Sequence, residues 1–295
     1  MATVEVNGIS LEYVERGQGE PVLLVHGSAS DCRTWESQLA AFAVHHRTLA
    51  YSRRYHWPNA PIPDGADYAM PEHADDLLAL IDALDARPAH VVAHSYGAFV
   101  ALLAAVCAPE MVRSLVLTEP PVITLFVSSR PRLPELMRLL ARRPVTAAAI
   151  VAFGARGVGP ATAAVQRGDL EGALYAFGTA TLGRQTFLRL GKPRLEQARV
   201  NLIAAELLGS GLPPLSDADL RCLRMPTLLV TGESSPRLFH CLADRLAVLI
   251  PGVERVEIPG ASHIVHEDNA ATFNRAVLGF LDRNAGRPPG AAAAG

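Results

Sequence analysis

The sequence predicts an α/β fold: a mostly parallel, doubly wound sheet with a helical cap inserted over its carboxyl edge. Three observations carry this. Short apolar, β-branched runs alternate with amphipathic helical patterns, as in a sheet buried on both faces. Residues 120–225 interrupt the alternation with helical patterns alone, after which it resumes. Finally, an apolar run at 89–93 passes through His94-Ser95-Tyr96-Gly97 into an Ala- and Leu-rich run with almost no loop between.

In chain order, residues 3–6 and 9–14 alternate apolar and polar around Asn7-Gly8, a strong short hairpin signal. Residues 21–26 form a continuous apolar run, hence a central strand, ending in His26-Gly27-Ser28. A helix is expected from Trp35 to Val44 and a strand at 47–51, followed by the loop Ser52-Arg53-Arg54-Tyr55-His56-Trp57. Residues 71–84 open with Pro71, carry early acidic residues and place Leu77, Leu80, Ile81 and Leu84 on one face, a helix signature. Further strands are expected at 114–118, 226–231 and 254–258, and a last helix at 269–284.

Between them, helical patterns fall at 133–142, 145–153, 170–181 and 195–208. Gly and Pro clusters at 157–160 and 211–214 punctuate them. Lying over the carboxyl edge, this segment would cover the place where open α/β sheets bind ligands. The expected division is core at 1–119, cap at 120–225, core again at 226–286, and a disordered low-complexity tail at 287–295.

Composition narrows the partners. Of 295 residues, 49% are hydrophobic and 19% charged, enough for a large core. The net charge of −2 and the absence of a basic cluster with interleaved aromatics argue against nucleic acid. Neither a signal peptide nor an apolar run of bilayer-spanning length is evident, so no membrane association and a cytoplasmic location are expected. Cys32, Cys107, Cys222 and Cys241 are isolated and read as free thiols. No cofactor or metal is expected. The expected partner is a small-molecule substrate, with a homodimer left open.

The strand–serine–helix passage forces a sharp turn with Ser95 at its apex. Small residues must flank it because strand and helix backbones nearly touch there; Ala93 stands where the usual form has glycine. A serine hydroxyl needs a base within hydrogen-bond reach, and that base needs a carboxylate to orient it. His263, in Pro259-Gly260-Ala261-Ser262-His263, lies just after the last strand and so projects from the same sheet edge. His266 reads as packing or capping, and His26 as a side chain that orients its loop. The amides of Ser28 and Tyr96 are the expected oxyanion donors.

His26-Gly27-Ser28, Ala93-His94-Ser95-Tyr96-Gly97, Thr231-Gly232-Glu233 and Gly260-Ala261-Ser262-His263 stand in an order that resembles the α/β-hydrolase superfamily, in its capped, single-domain branch. The resemblance covers roughly residues 3–284, the helical segment only by position. It implies a nucleophile–acid–histidine triad. The acid commonly follows the strand at 227–231, where this chain has Gly232-Glu233-Ser234-Ser235, so serine occupies the usual carboxylate slot. Glu119, at the end of the strand beside the elbow strand, is the preferred acid, since some family members place theirs there; Glu233 is the alternative.

A serine nucleophile implies attack on a carbonyl, hence an ester or lactone of a moderately apolar molecule, through an acyl-enzyme. The resemblance also leaves open carbon–carbon bond hydrolysis and a small-molecule receptor. Expected pocket walls include Tyr51, Arg53, Arg54, Tyr55, Trp57, Phe126, Phe153 and Phe177. The two arginines either bind an acidic substrate group or, as the preferred reading, pair with Asp64, Asp67 or Glu72.

Overall fold

A computed structural model describes residues 1–286. The tail expected at 287–295 lies outside the described residues. Eight strands form one sheet: β1 (Ala2–Val6), β2 (Ile9–Arg16), β3 (Pro21–Val25), β4 (Arg47–Tyr51), β5 (Ala89–His94), β6 (Val112–Thr118), β7 (Thr227–Gly232) and β8 (Glu254–Ile258). Their order is β1-β2-β4-β3-β5-β6-β7-β8. The first two pairings, β1 with β2 and β2 with β4, are antiparallel, and all the others are parallel. Val6 pairs with Ile9, so Asn7-Gly8 is a two-residue turn. Both turn residues have positive φ (48° and 74°), which explains the Asn-Gly choice.

The apolar strands divide between two cores with a period of two. Leu23, Val25, Val91, Ala93, Leu115, Leu117 and Leu229 face one core, whereas Val22, Leu24, Val92, Val116, Leu228 and Val230 face the other. The first face is covered by α2 (Met70–Ala83) and α3 (Ser95–Cys107). The second is covered by α1 (Glu36–Phe42), through Leu39 and Phe42, and by the final helix through Phe273, Val277 and Phe280. Continuous hydrophobicity in these strands is therefore the mark of burial on both sides.

Between β6 and β7 the chain is helical: α4 (Leu133–Arg142), α5 (Pro144–Phe153), α6 (Gly159–Gln166), α7 (Leu170–Leu182), α8 (Arg184–Arg189), α9 (Lys192–Val200), α10 (Ala204–Leu208) and α11 (Asp217–Arg221). This insertion is not an independent body. Leu139, Ala147 and Ile150 join the first sheet core, and Leu174, Leu182 and Phe187 pack with Ala29 and Ile264 from core loops. Buried Asp31 accepts from Gln197 Nε2 (2.9 Å) and Asn201 Nδ2 (2.7 Å), pinning α9 to the loop after β3. Downstream come α12 (Arg237–Leu249), α13 (Val265–Asp268) and α14 (Ala270–Arg283).

The structure departs from the sequence reading in four places. The Gly-Pro cluster at 157–160 does not break the chain: a π-helical turn, Gly154–Val158, joins α5 to α6. The resulting run, Pro144–Gln166, contains an 18-residue window of mean hydropathy 1.4 and reaches bilayer-spanning length, which the glycines concealed. The pattern at 195–208 is two helices, because Asn201 turns its side chain onto Asp31 and ends α9 there. Helix α12 is absent from the sequence expectations, although Leu238, Phe239, Leu242, Leu246 and Leu249 give it a regular buried face. The cysteines are free: Cys32 and Cys241 are buried, Cys107 and Cys222 exposed.

Candidate active site

The turn from β5 into α3 sets the site. His94 is still extended (φ −121°), whereas Ser95 has φ 51°, left-handed for a residue with a Cβ. Such a conformation costs about 1–3 kcal/mol and persists only where packing enforces it. The enforcement is visible at Gly97: a Cβ there would lie 2.3 Å from the His26 carbonyl oxygen and 2.7 Å from that of Val25. Ala93 is fully buried, and its methyl group is accommodated in the strand core.

Loops from distant parts of the chain converge on Ser95. His263, in the turn after β8, brings Nε2 to 2.9 Å from Ser95 Oγ, and its Nδ1 lies 2.6 Å from Glu119 Oε2. With Nδ1–H donating to the carboxylate, Nε2 is left to accept from the serine hydroxyl. The second carboxylate oxygen, Oε1, accepts from Gly232 N–H at 2.8 Å. Glu119 follows β6 and, like Ser95, has positive φ (50°). Ser95, Glu119 and His263 therefore form one hydrogen-bonded chain. Glu233 lies outside it: exposed, with Oε2 accepting from Gly260 N–H at 2.8 Å, it braces the turn that leads to His263. The alternative acid is thus turned away from the imidazole, held at the surface by the Gly260 amide.

Burial decides the electrostatics. His263 is 2% exposed and Glu119 1%. Loss of solvent drives the His263 imidazole down to about 3 and lifts the Glu119 carboxyl to about 8, the latter against the Gly232 amide that donates to it. Burial thus keeps the imidazole neutral, as a base must be.

Two neighbours of His263 were not anticipated. Phe239, on α12, stacks on its ring with centroids 3.9 Å apart and excludes water. His94 Nε2 lies 2.8 Å from the His263 carbonyl oxygen and donates to it, holding the backbone of the histidine turn. Position 94, immediately before the elbow serine, was the available signal for His94; for Phe239 it was the periodicity of α12. His266 stacks on Trp35 (4.1 Å) and bonds Thr34, away from Ser95.

The loop after β3 is held from beneath by a buried arginine. Arg53 donates to the carbonyls of His26 (3.0 Å) and Gly27 (3.0 Å) and to the Tyr68 hydroxyl (2.7 Å). His26 Nε2 accepts from Arg53 N–H (2.9 Å), so His26 orients its loop and does not reach the serine. Arg54 pairs with Asp76 (2.5 Å) and Glu72 (2.5 Å) rather than with Asp64 or Asp67.

Ser28 and Tyr96 line the same cavity of about 540 Å³ as Ser95. Its other walls come mostly from the insertion and α12, among them Ile150, Phe153, Val158, Phe177, Leu207 and Phe239. Of the walls expected from sequence, Phe153 and Phe177 line this cavity. Phe126 lines a neighbouring one, Tyr51 and Arg53 lie in the interior, and Trp57 stacks under Arg33 (3.8 Å). Within the Ser52–Trp57 loop, Arg53, Arg54 and His56 are drawn inward by their polar partners, whereas Trp57 stays exposed. Glu206 is a cavity carboxyl missed in the sequence; burial raises its pKa.

The sequence model of the alpha/beta hydrolase family matches residues 22–276. A 2-(acetamidomethylene)succinate hydrolase from Mesorhizobium japonicum is 26% identical over 279 residues, covering 95% of this chain and 94% of that protein. A protein from Azorhizobium caulinodans named for carbamate hydrolysis is 25% identical over 282 residues, covering 92% and 94%. Among solved structures, a thermophilic esterase from Thermogutta terrifontis superposes with a TM-score of 0.67 at 25% identity, covering 96% of this chain and 97% of that one.

Proposed function

The chain belongs to the α/β hydrolase family, and from that premise we propose that it is a serine hydrolase cleaving a carboxylic ester or lactone of a moderately apolar small molecule. The observation that carries the reading is the 2.9 Å approach of His263 Nε2 to Ser95 Oγ at the wall of a largely apolar cavity. A neutral imidazole at that distance takes the hydroxyl proton as Oγ attacks the carbonyl carbon. Charge then develops on the carbonyl oxygen, and the amides of Ser28 and Tyr96 are the donors assigned to it. Helix α3 begins at Ser95, so its N-terminal dipole favours the same negative charge.

The imidazolium that forms is balanced by Glu119 and returns its proton to the departing alkoxide, leaving an acyl-enzyme. Water, deprotonated by the same histidine, then releases the acid. Relatives named for hydrolysis of a carbamate and of an acetamido compound, and a structural neighbour that is an esterase, support acyl-bond cleavage as the reaction class. The deciding experiment is turnover of short- and medium-chain aryl esters and lactones with the Ser95→Ala variant as control. Activity on vinylogous acids or β-diketones with none on esters would replace this reading by carbon–carbon bond hydrolysis. A burst of product without subsequent turnover would replace it by a receptor role.

A further inference from the structure

A second cavity, of about 880 Å³, lies between α4, α12 and the segment after β6. It shares Thr124, Ser128, Ser129 and Leu212 with the walls of the Ser95 cavity, so the two spaces adjoin across those residues. Its chemistry is different. Arg138, Arg142, Arg143 and Arg245 line it, against one carboxylate, Glu135. That carboxylate is already committed, accepting from the Ser128 amide at 2.8 Å and its hydroxyl at 3.2 Å.

Internal partners neutralise only one of these arginines. Arg245 pairs through Nη2 with both oxygens of Asp217 (2.6 Å), yet its buried Nε has no acceptor. Arg143 lies over the Phe126 ring at 5.7 Å. Arg138 and Arg142 have no ion pair or hydrogen bond among the described residues, although they sit four apart on α4, a spacing at which like charges weaken a helix. Thr124 Oγ1, on the wall between the two cavities, is also buried without a partner.

We propose that this arginine-lined vestibule binds the carboxylate end of an amphiphilic substrate whose apolar body and scissile acyl group occupy the Ser95 cavity. The inference rests on the serine-hydrolase reading for the bond that is cut, but not for the anion that is held. Guanidinium groups accept carboxylates in paired N–H···O bonds, and three unneutralised cations at one mouth raise the local concentration of anions. The substrate class is thus a half-ester, or a lactone bearing a carboxylate, rather than a neutral ester.

The test measures binding to the full chain carrying Ser95→Ala by calorimetry, with monomethyl suberate and dimethyl suberate as a matched pair. The half-acid should bind at least about tenfold tighter than the diester. That ratio should fall to near one when R138Q, R142Q and R143Q are added, and should shrink at about 0.5 M salt, where screening lengths drop to roughly 4 Å. All three arginines are exposed, so the fold should tolerate their replacement.

Equal binding of the pair, binding of neither, or a preference that survives loss of the arginines overturns the proposal. So does loss of the preference on Arg130→Gln alone, since Arg130 lines the inner cavity. Failure of the hydrolase reading looks different: the preference stays, and the unsubstituted enzyme releases methanol from neither compound.

Discussion

Glu119 Oε2 lies 2.6 Å from His263 Nδ1, although 144 residues separate them. The contact exists because β6 and β8 both run parallel to the elbow strand, so the turns that follow them open at the same sheet edge. Replacing Glu119 by Gln keeps the shape and removes the charge that balances an imidazolium. A loss of about 10³–10⁴-fold in kcat is expected by analogy with triads of this geometry. Glu233→Gln, which alters only an exposed turn brace, should retain most activity. The reverse ranking in ester hydrolysis would remove Glu119 from the mechanism.

Ser95→Ala should lower ester turnover by about 10⁶-fold and abolish labelling by a fluorophosphonate. Only one hydroxyl is removed from the cavity wall, so substrate should still bind. Substantial residual turnover would mean that another group attacks.

The acid limb of kcat/KM should lie below the ordinary histidine value of 6.5, because burial drives His263 toward 3. Neutral His263 is the working form, so activity is lost as pH falls through that limb. With Glu119 lifted to about 8, the rate should climb further as the carboxylate ionises and balances the imidazolium better. Phe239→Ala admits water to the ring that Phe239 covers and should move the acid limb up toward 6.5. A pH profile unchanged by that substitution would show that the stacking does not set the histidine's ionisation.

Gly97→Ala should destabilise the fold by about 1–3 kcal/mol, since its methyl group would meet backbone oxygens of β3 and His26 that cannot yield independently. Gly65→Ala meets no neighbour but imposes a strained φ of 75°, so a smaller loss is expected. Chemical denaturation of the pair ranks them.

Acid should unfold the protein early. Burial holds His26 at about 3 and His90 at about 4, and keeps His56, His73, His94 and His266 well below their ordinary range. The unfolded chain binds protons at these sites below pH 6.5 and the folded chain does not. Their contribution to stability is therefore intact above that pH and declines below it, at up to about 1.4 kcal/mol per pH unit for each histidine. Glu119 and Glu206, both raised by burial, work in the opposite sense but are two groups against six. Tm should fall steeply between pH 6.5 and 4; a flat profile would contradict the burial of these rings.

The sheet and its elbow were legible in the sequence because they depend on local pattern. Continuous apolar runs, Asn7-Gly8 and the abrupt strand–Ser95–helix passage each have one economical structural solution. Ser95, Glu119 and His263, the proposed triad, were named from chemical type and position at strand ends, and the structure brings them into one hydrogen-bonded chain. The sequence preferred Glu119 to Glu233 but could not show whether a side chain at a strand end faces the site or solvent. Only packing decides that: Glu119 adopts a left-handed backbone and is clasped by Gly232 N–H, while Glu233 is drawn to Gly260. The same limit hid Phe239 behind His263 and turned Arg53 from an expected pocket wall into a buried brace. Residue type and spacing along the chain specify which groups can do chemistry; which of them meet, and with how little water between them, is set by contacts between segments far apart in sequence.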